Sequence, residues 1–146
     1  MKNSFINKLL IMLGISVGSF IGFNVAFMLA AFITLSIARI TGPIGYSLGR
    51  IVFLVVIYLI FFGVKRLKIP TWIKATVFSM PMISTLVLIG VYGYGLSVYI
   101  VLGLGLGFIV LVSYYLYHNR WDWTYFYALS FVSICAAYVI IAGIDI

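Results

Sequence analysis

The sequence has little charge, and acidic residues are almost absent from it. Only 8% of the 146 residues are charged, the two acidic residues are Asp122 and Asp145, and there is no glutamate. Soluble domains carry charge on about a quarter of their residues, so a soluble fold of this size is excluded. Two isolated aspartates cannot form a general acid and base pair, and we therefore expect no enzymatic activity and no cofactor.

Cysteine and histidine are equally scarce. Cys135 and His118 each occur alone, so the chain has neither a disulfide framework nor the three or four converging ligands of a metal site. The apolar segments contain no carboxylate, which disfavours transport coupled to protons or sodium ions. We expect no metal site.

Long apolar segments make up most of the chain, and 66% of its residues are hydrophobic. Runs of about 17 to 25 apolar residues have the length of a transmembrane helix, within which every backbone polar group is paired. The first run is too long for a signal peptide, and we expect part of it to leave the bilayer. The sequence predicts an all-α integral membrane protein, a single domain over residues 1–146, with five spans at about 9–38, 45–63, 75–91, 96–116 and 124–143.

The basic residues lie between the apolar runs and give a net charge of +7. This placement is typical of membrane topology and excludes a nucleic-acid partner. One side of the membrane receives Lys2, Lys8, Lys65, Arg66, Lys68, Lys74 and Arg120, and the other receives only Arg39 and Arg50. The positive-inside rule then predicts a plasma-membrane protein with a cytoplasmic amino terminus and a carboxyl terminus outside.

The first span carries a small residue at every fourth position. This small-residue stripe consists of Gly14, Gly18, Gly22, Ala26, Ala30, Thr34 and Ala38. Because lipid removes the hydrophobic drive for helix association, close backbone approach between small residues must supply it. We expect the stripe to pack a helix of this chain or of another subunit. Gly103 with Gly107 in the fourth span and Ser133 with Ala137 in the fifth are weaker packing sites that could contact the first helix.

The second span has the opposite composition, because residues 51–62 include no small side chain. Large apolar side chains make no better contacts with another helix than with lipid, and we predict that this span faces lipid.

Asn24 and Pro81 are the two unusual residues within predicted spans. Asn24 is the only amide near the middle of a span, where a polar group needs a hydrogen-bond partner in a neighbouring helix or in a bound solute. Pro81 removes one hydrogen bond from its helix and predicts a kink, which is either a hinge or a passive bend.

A non-enzymatic accessory or assembly subunit of a larger membrane complex fits these features best. The alternative is a small homo-oligomeric transporter or channel for a neutral, lipophilic or anionic solute, since five short spans would need several copies to enclose a path. An enzyme acting on lipid is the third possibility. The expected partners are the lipid bilayer and other membrane subunits or copies of the chain itself.

Overall fold

The computed structural model describes residues 2–93 and 95–141, and the secondary structure of these residues is helical, which confirms the all-α prediction. The helices are α1 (Lys2–Thr41), α2 (Ile44–Arg66), α3 (Thr71–Tyr92), α4 (Val98–His118) and α5 (Trp123–Ile141). Within the described residues, the four helices α1 to α4 are long and apolar enough to cross a membrane. The end of the predicted fifth span, residues 142 and 143, lies outside the described residues.

Proline and glycine set the ends of several helices. Pro43 and Pro70 directly precede α2 and α3, where the missing N–H of proline costs no helical hydrogen bond. Gly42 adopts φ 70°, a left-handed conformation that glycine tolerates, and its N–H donates to the carbonyl of Ala38 at 2.8 Å. This turn reverses the chain, so α2 packs antiparallel to α1.

Helix α1 is one continuous helix of 40 residues. At 1.5 Å per residue it is about 60 Å long, roughly twice the thickness of a bilayer core. The helix begins before the predicted span, at Lys2, because the polar residues that precede Leu9 continue the helix rather than end it. Gly14 lies beside Trp72, in the first turn of α3, so the residues before Gly14 extend past the beginning of α3.

Helix α3 lies at the centre of the packing, because among the described residues it is the one helix that contacts all four others. The main core forms where α3 meets α5, α4 and the ends of α1 and α2. Its buried members include Ile15, Phe61, Phe78, Met82, Leu86, Val112, Leu116, Leu129 and Val132.

The prediction that α2 faces lipid is wrong for one of its two faces. The face of Ile51, Val55 and Leu59 is left uncovered by the described helices, since these residues are 56%, 53% and 64% exposed. The other face is buried against α1 and α3 and carries Gly45, Gly49, Phe53, Ile57 and Phe61. At Phe53 and Ile57 large side chains suffice because α1 supplies the small residues Ala26 and Ala30, so the composition of residues 51–62 alone could not reveal this part of the contact.

Candidate helix-packing surfaces

The amino-terminal half of the small-residue stripe lies against α3. A β-carbon built on Gly18 would lie 2.7 Å from Thr76 Cγ2, and one built on Gly22 would lie 2.5 Å from Met80 Cε. Gly14 has more room, since its β-carbon would lie 3.6 Å from the Trp72 ring. The order of these contacts shows that α1 and α3 run parallel.

The carboxyl-terminal half of the stripe lies against α2. A β-carbon on Gly49 would lie 2.6 Å from Thr34 Cα, and one on Gly45 would lie 2.5 Å from Ala38 Cα. Sequence reasoning missed Gly45 and Gly49, although their four-residue spacing was a readable signal.

Between these glycine contacts, Ala26 and Ala30 pack with Phe53 and Ile57 of α2. The stripe thus meets α2 and α3, not the fourth or fifth helix that the weaker small-residue pairs suggested. Within the described residues α1 has no close contact with α4.

The glycines of α4 lie in a different environment. A β-carbon on Gly103 or Gly107 would meet no atom of the described residues within 4 Å, whereas one on Gly105 would lie 3.8 Å from Leu86 of α3. Gly103 and Gly107 are exposed, and so are the large side chains beside them, Leu104, Leu106, Val110 and Leu111. This outward face of α4 is therefore open to lipid or to another chain.

A groove of about 280 Å³ separates α4 from α5 and includes Ser130 and Ser133 in its lining. Their hydroxyls donate to carbonyls of their own helix, to Phe126 at 2.9 Å and to Leu129 at 2.7 Å. Ser133 therefore borders this groove between α4 and α5.

Asn24 is exposed, and its hydrogen bond lies within its own helix. The Nδ2 group donates to the carbonyl of Phe20 at 2.8 Å. In the part of the chain that the structure describes, no neighbouring helix bonds to this amide, contrary to the bond that its position predicts.

Pro81 is buried in the middle of α3, and the helix continues on both sides of it from Thr71 to Tyr92. Hydroxyl groups bond to nearby carbonyls of the same helix: Ser84 donates to Met80 at 2.7 Å and Thr85 donates to Pro81 at 2.8 Å. Pro81 therefore does not divide α3 into two helices.

Two hydroxyl pairs connect neighbouring helices. Ser16 of α1 lies 2.8 Å from the Tyr127 hydroxyl of α5, and Tyr58 of α2 lies 3.1 Å from Thr85 of α3. Sequence reasoning assigned the polar contact to Asn24 and missed these pairs, because hydroxyl residues are too common in membrane helices to indicate a contact by themselves.

The α2–α3 and α4–α5 connections lie at the same end of the bundle. Lys65 Nζ lies 4.1 Å from the centre of the Trp121 ring, a cation–π contact, and Lys74 Nζ donates to the carbonyl of Lys65 at 2.9 Å. The Asp122 carboxylate accepts from the N–H and hydroxyl of Thr124, at 2.9 and 2.7 Å. Most basic residues thus gather with tryptophan at one end, as in a membrane interface.

The described residues contain no group of three or more histidine, cysteine or acidic side chains that could hold a metal ion. No family model, curated protein or solved structure matches the chain.

Proposed function

We propose that this protein is a non-enzymatic accessory or assembly subunit of a larger membrane complex, and that it binds another subunit through the outward face of α4. The observation that supports this proposal is the open space at Gly103 and Gly107. Small residues four positions apart allow the backbone of a partner helix to come close, and none of the residues that the structure describes occupies that position.

The stripe of small residues on α1 is already covered by helices of this chain, which supports α4 as the surface that binds another subunit. The stripe of α1 is occupied by α2 and α3, so it has no room for a further helix. Helix α4 contacts only α3 and α5 among the described helices, which leaves much of its circumference free. A partner helix on that side would gain dispersion contacts that mobile lipid tails do not supply.

The proposal includes the membrane arrangement expected from the sequence: five spans in the plasma membrane, a cytoplasmic amino terminus and a carboxyl terminus outside. The gathering of Lys65, Lys74 and Trp121 at one end supports it. In this arrangement α5 is the fifth span.

The test is purification of the tagged chain from its native membrane in mild detergent, followed by identification of proteins that copurify in fixed ratio. Gly103→Ile and Gly107→Ile should remove the partner because a branched side chain would push its backbone away. Gly63→Ile is the matched control, since Gly63 is an exposed glycine of α2 that also has open space around it. Equal recovery of the partner with all three variants would contradict the proposal.

Reconstitution into vesicles separates this function from the alternative. A chain that alone carries a neutral, lipophilic or anionic solute across the vesicle membrane would be a transporter or channel. The subunit proposal expects no such flux without the partner.

A further inference from the structure

Helix α1 has a second surface, which faces away from its small-residue stripe. We call it the Asn24 face, and it consists of the side chains between residues 10 and 35 that lie within about 40° of Asn24 around an ideal helix. Its members are spaced three or four residues apart and all are exposed: Leu10, Leu13, Val17, Phe20, Asn24, Met28, Ala31 and Leu35. This spacing is that of a left-handed helix pair, in contrast to the four-residue step of the stripe.

The amide of Asn24 is incompletely hydrogen-bonded. One N–H donates to Phe20, while the carbonyl oxygen and the second N–H have no partner among the described residues. An amide can make about four hydrogen bonds, and unpaired polar groups are costly in hydrocarbon because no water is present to satisfy them.

Asn24 lies at the depth where this cost is greatest. It stands midway along α1 between Lys8 and Arg39, which mark the two polar ends of the apolar segment. Ile57 of α2 packs beside Ala26, which places Leu59 at about the same depth as Asn24. Leu59 is 64% exposed, so an apolar side chain faces outward from α2 at this depth. The outward-facing amide of Asn24 is unusual by comparison.

We infer that the Asn24 face binds a second copy of the chain, with the two α1 helices parallel and the two Asn24 amides hydrogen-bonded to each other. A two-fold axis along the membrane normal brings the same residue of both copies to the same depth. The amide carries both donors and an acceptor, so it is complementary to itself, and one buried asparagine among apolar residues fixes the register of a helix pair. This interface is separate from the α4 face and does not depend on the proposed function.

The first experiment measures dimerisation in lipid bilayers by single-molecule photobleaching of labelled protein over a range of protein-to-lipid ratios. The wild-type chain should form dimers, and Asn24→Leu should weaken them on the order of tenfold, as expected for the loss of interhelical hydrogen bonds. Asn24→Gln should retain much of the association because it keeps the amide. The melting temperature of the Asn24→Leu monomer in detergent should not fall, since the native bond lies within α1.

The second experiment is disulfide cross-linking in membranes in a Cys135→Ser background. Met28→Cys should cross-link two copies through the Asn24 face, while Leu59→Cys, on exposed α2 at the depth of Asn24, should not.

A wild-type chain that stays monomeric at all lipid ratios, an Asn24→Leu variant that dimerises as well as wild type, or equal cross-linking at both cysteines would each overturn the inference. If Asn24→Leu loses a different copurifying protein while dimers persist, the face binds that protein and not a second copy. If Gly103→Ile and Gly107→Ile still copurify with the partner, only the α4 proposal is contradicted. The two proposals can therefore fail independently.

Discussion

At the scale of single residues, Asp122 caps the start of α5 in the last hairpin. It precedes α5, and its carboxylate accepts from the backbone N–H and the hydroxyl of Thr124. An acceptor in this position satisfies one of the free N–H groups at the start of a helix, and its negative charge favours the positive end of the helix dipole.

Asp122→Ala should therefore lower the free energy of unfolding by about 0.5–2 kcal/mol, the usual cost of losing a helix cap. Equilibrium unfolding in mixed detergent measures it. Asp122→Asn should lose less because its side-chain oxygen still accepts. An alanine variant as stable as wild type would show that this bond contributes nothing.

The glycines differ in the atoms that an added side chain would contact. At Gly49 the neighbour is the backbone of Thr34, which cannot move without separating α1 from α2, whereas at Gly22 it is the flexible end of Met80. At Gly103 the space is open.

We predict that stability follows this order among alanine variants. Gly49→Ala should cost about 1–3 kcal/mol through overpacking. Gly22→Ala should stay within about 1 kcal/mol of wild type, because the Met80 side chain can rotate. Gly103→Ala should be neutral or stabilising by up to about 1 kcal/mol, since alanine favours helix. Thermal unfolding in detergent ranks them, and Gly49→Ala as stable as Gly103→Ala would disprove the close α1–α2 contact.

At the scale of helices, α2 has a packed face and an open face. The packed face places Phe53, Ile57 and Phe61 on the small residues of α1 and on α3, and the open face exposes Ile51, Val55 and Leu59. A helix in lipid is stabilised only by contacts better than those lipid provides, so the two faces should differ in their sensitivity to truncation.

Alanine substitution should reveal this difference. Ile57→Ala and Phe61→Ala should each cost about 1–2 kcal/mol of stability through lost dispersion contacts and a residual cavity. Val55→Ala and Leu59→Ala should change stability by less than about 0.5 kcal/mol. Equal losses on both faces, measured by unfolding in detergent, would mean that α2 is enclosed on all sides.

At the scale of the whole molecule, the two ends of the bundle differ in charge. The connection after α2 and the connection after α4 meet where Lys65 contacts Trp121, while Arg50 lies 6.0 Å from the Tyr92 ring at the opposite end. The end with more basic residues should be cytoplasmic by the positive-inside rule.

Cysteine labelling tests this topology in a Cys135→Ser background. A cysteine at Lys68 should be protected from an impermeant thiol reagent in intact cells and become reactive when the cells are opened. A cysteine at Ile44 should react in intact cells, since Ile44 begins α2 at the opposite end and is 78% exposed. Labelling of the Lys68 position in intact cells would show that the orientation is the opposite of the predicted one.

The sequence alone determined the helical class, the approximate bounds of the helices and the existence of a small-residue stripe. Helix formation follows from local backbone pairing in an apolar solvent, so length and composition reveal it. Helix α1 extends beyond its predicted apolar span because polar residues at a helix end neither require nor forbid helix.

Only the tertiary structure decided which surface meets which neighbour. A lipid tail and a neighbouring helix are both apolar, so the hydrophobic pattern does not say which side of α1, α2 or α4 is covered. The stripe of α1 and the face of α2 with Phe53 and Ile57 are buried together because one supplies small residues and the other large ones. Gly103, Gly107 and Asn24 were candidates for helix contacts in the sequence, and they are exposed because the described helices of this chain pack against other surfaces.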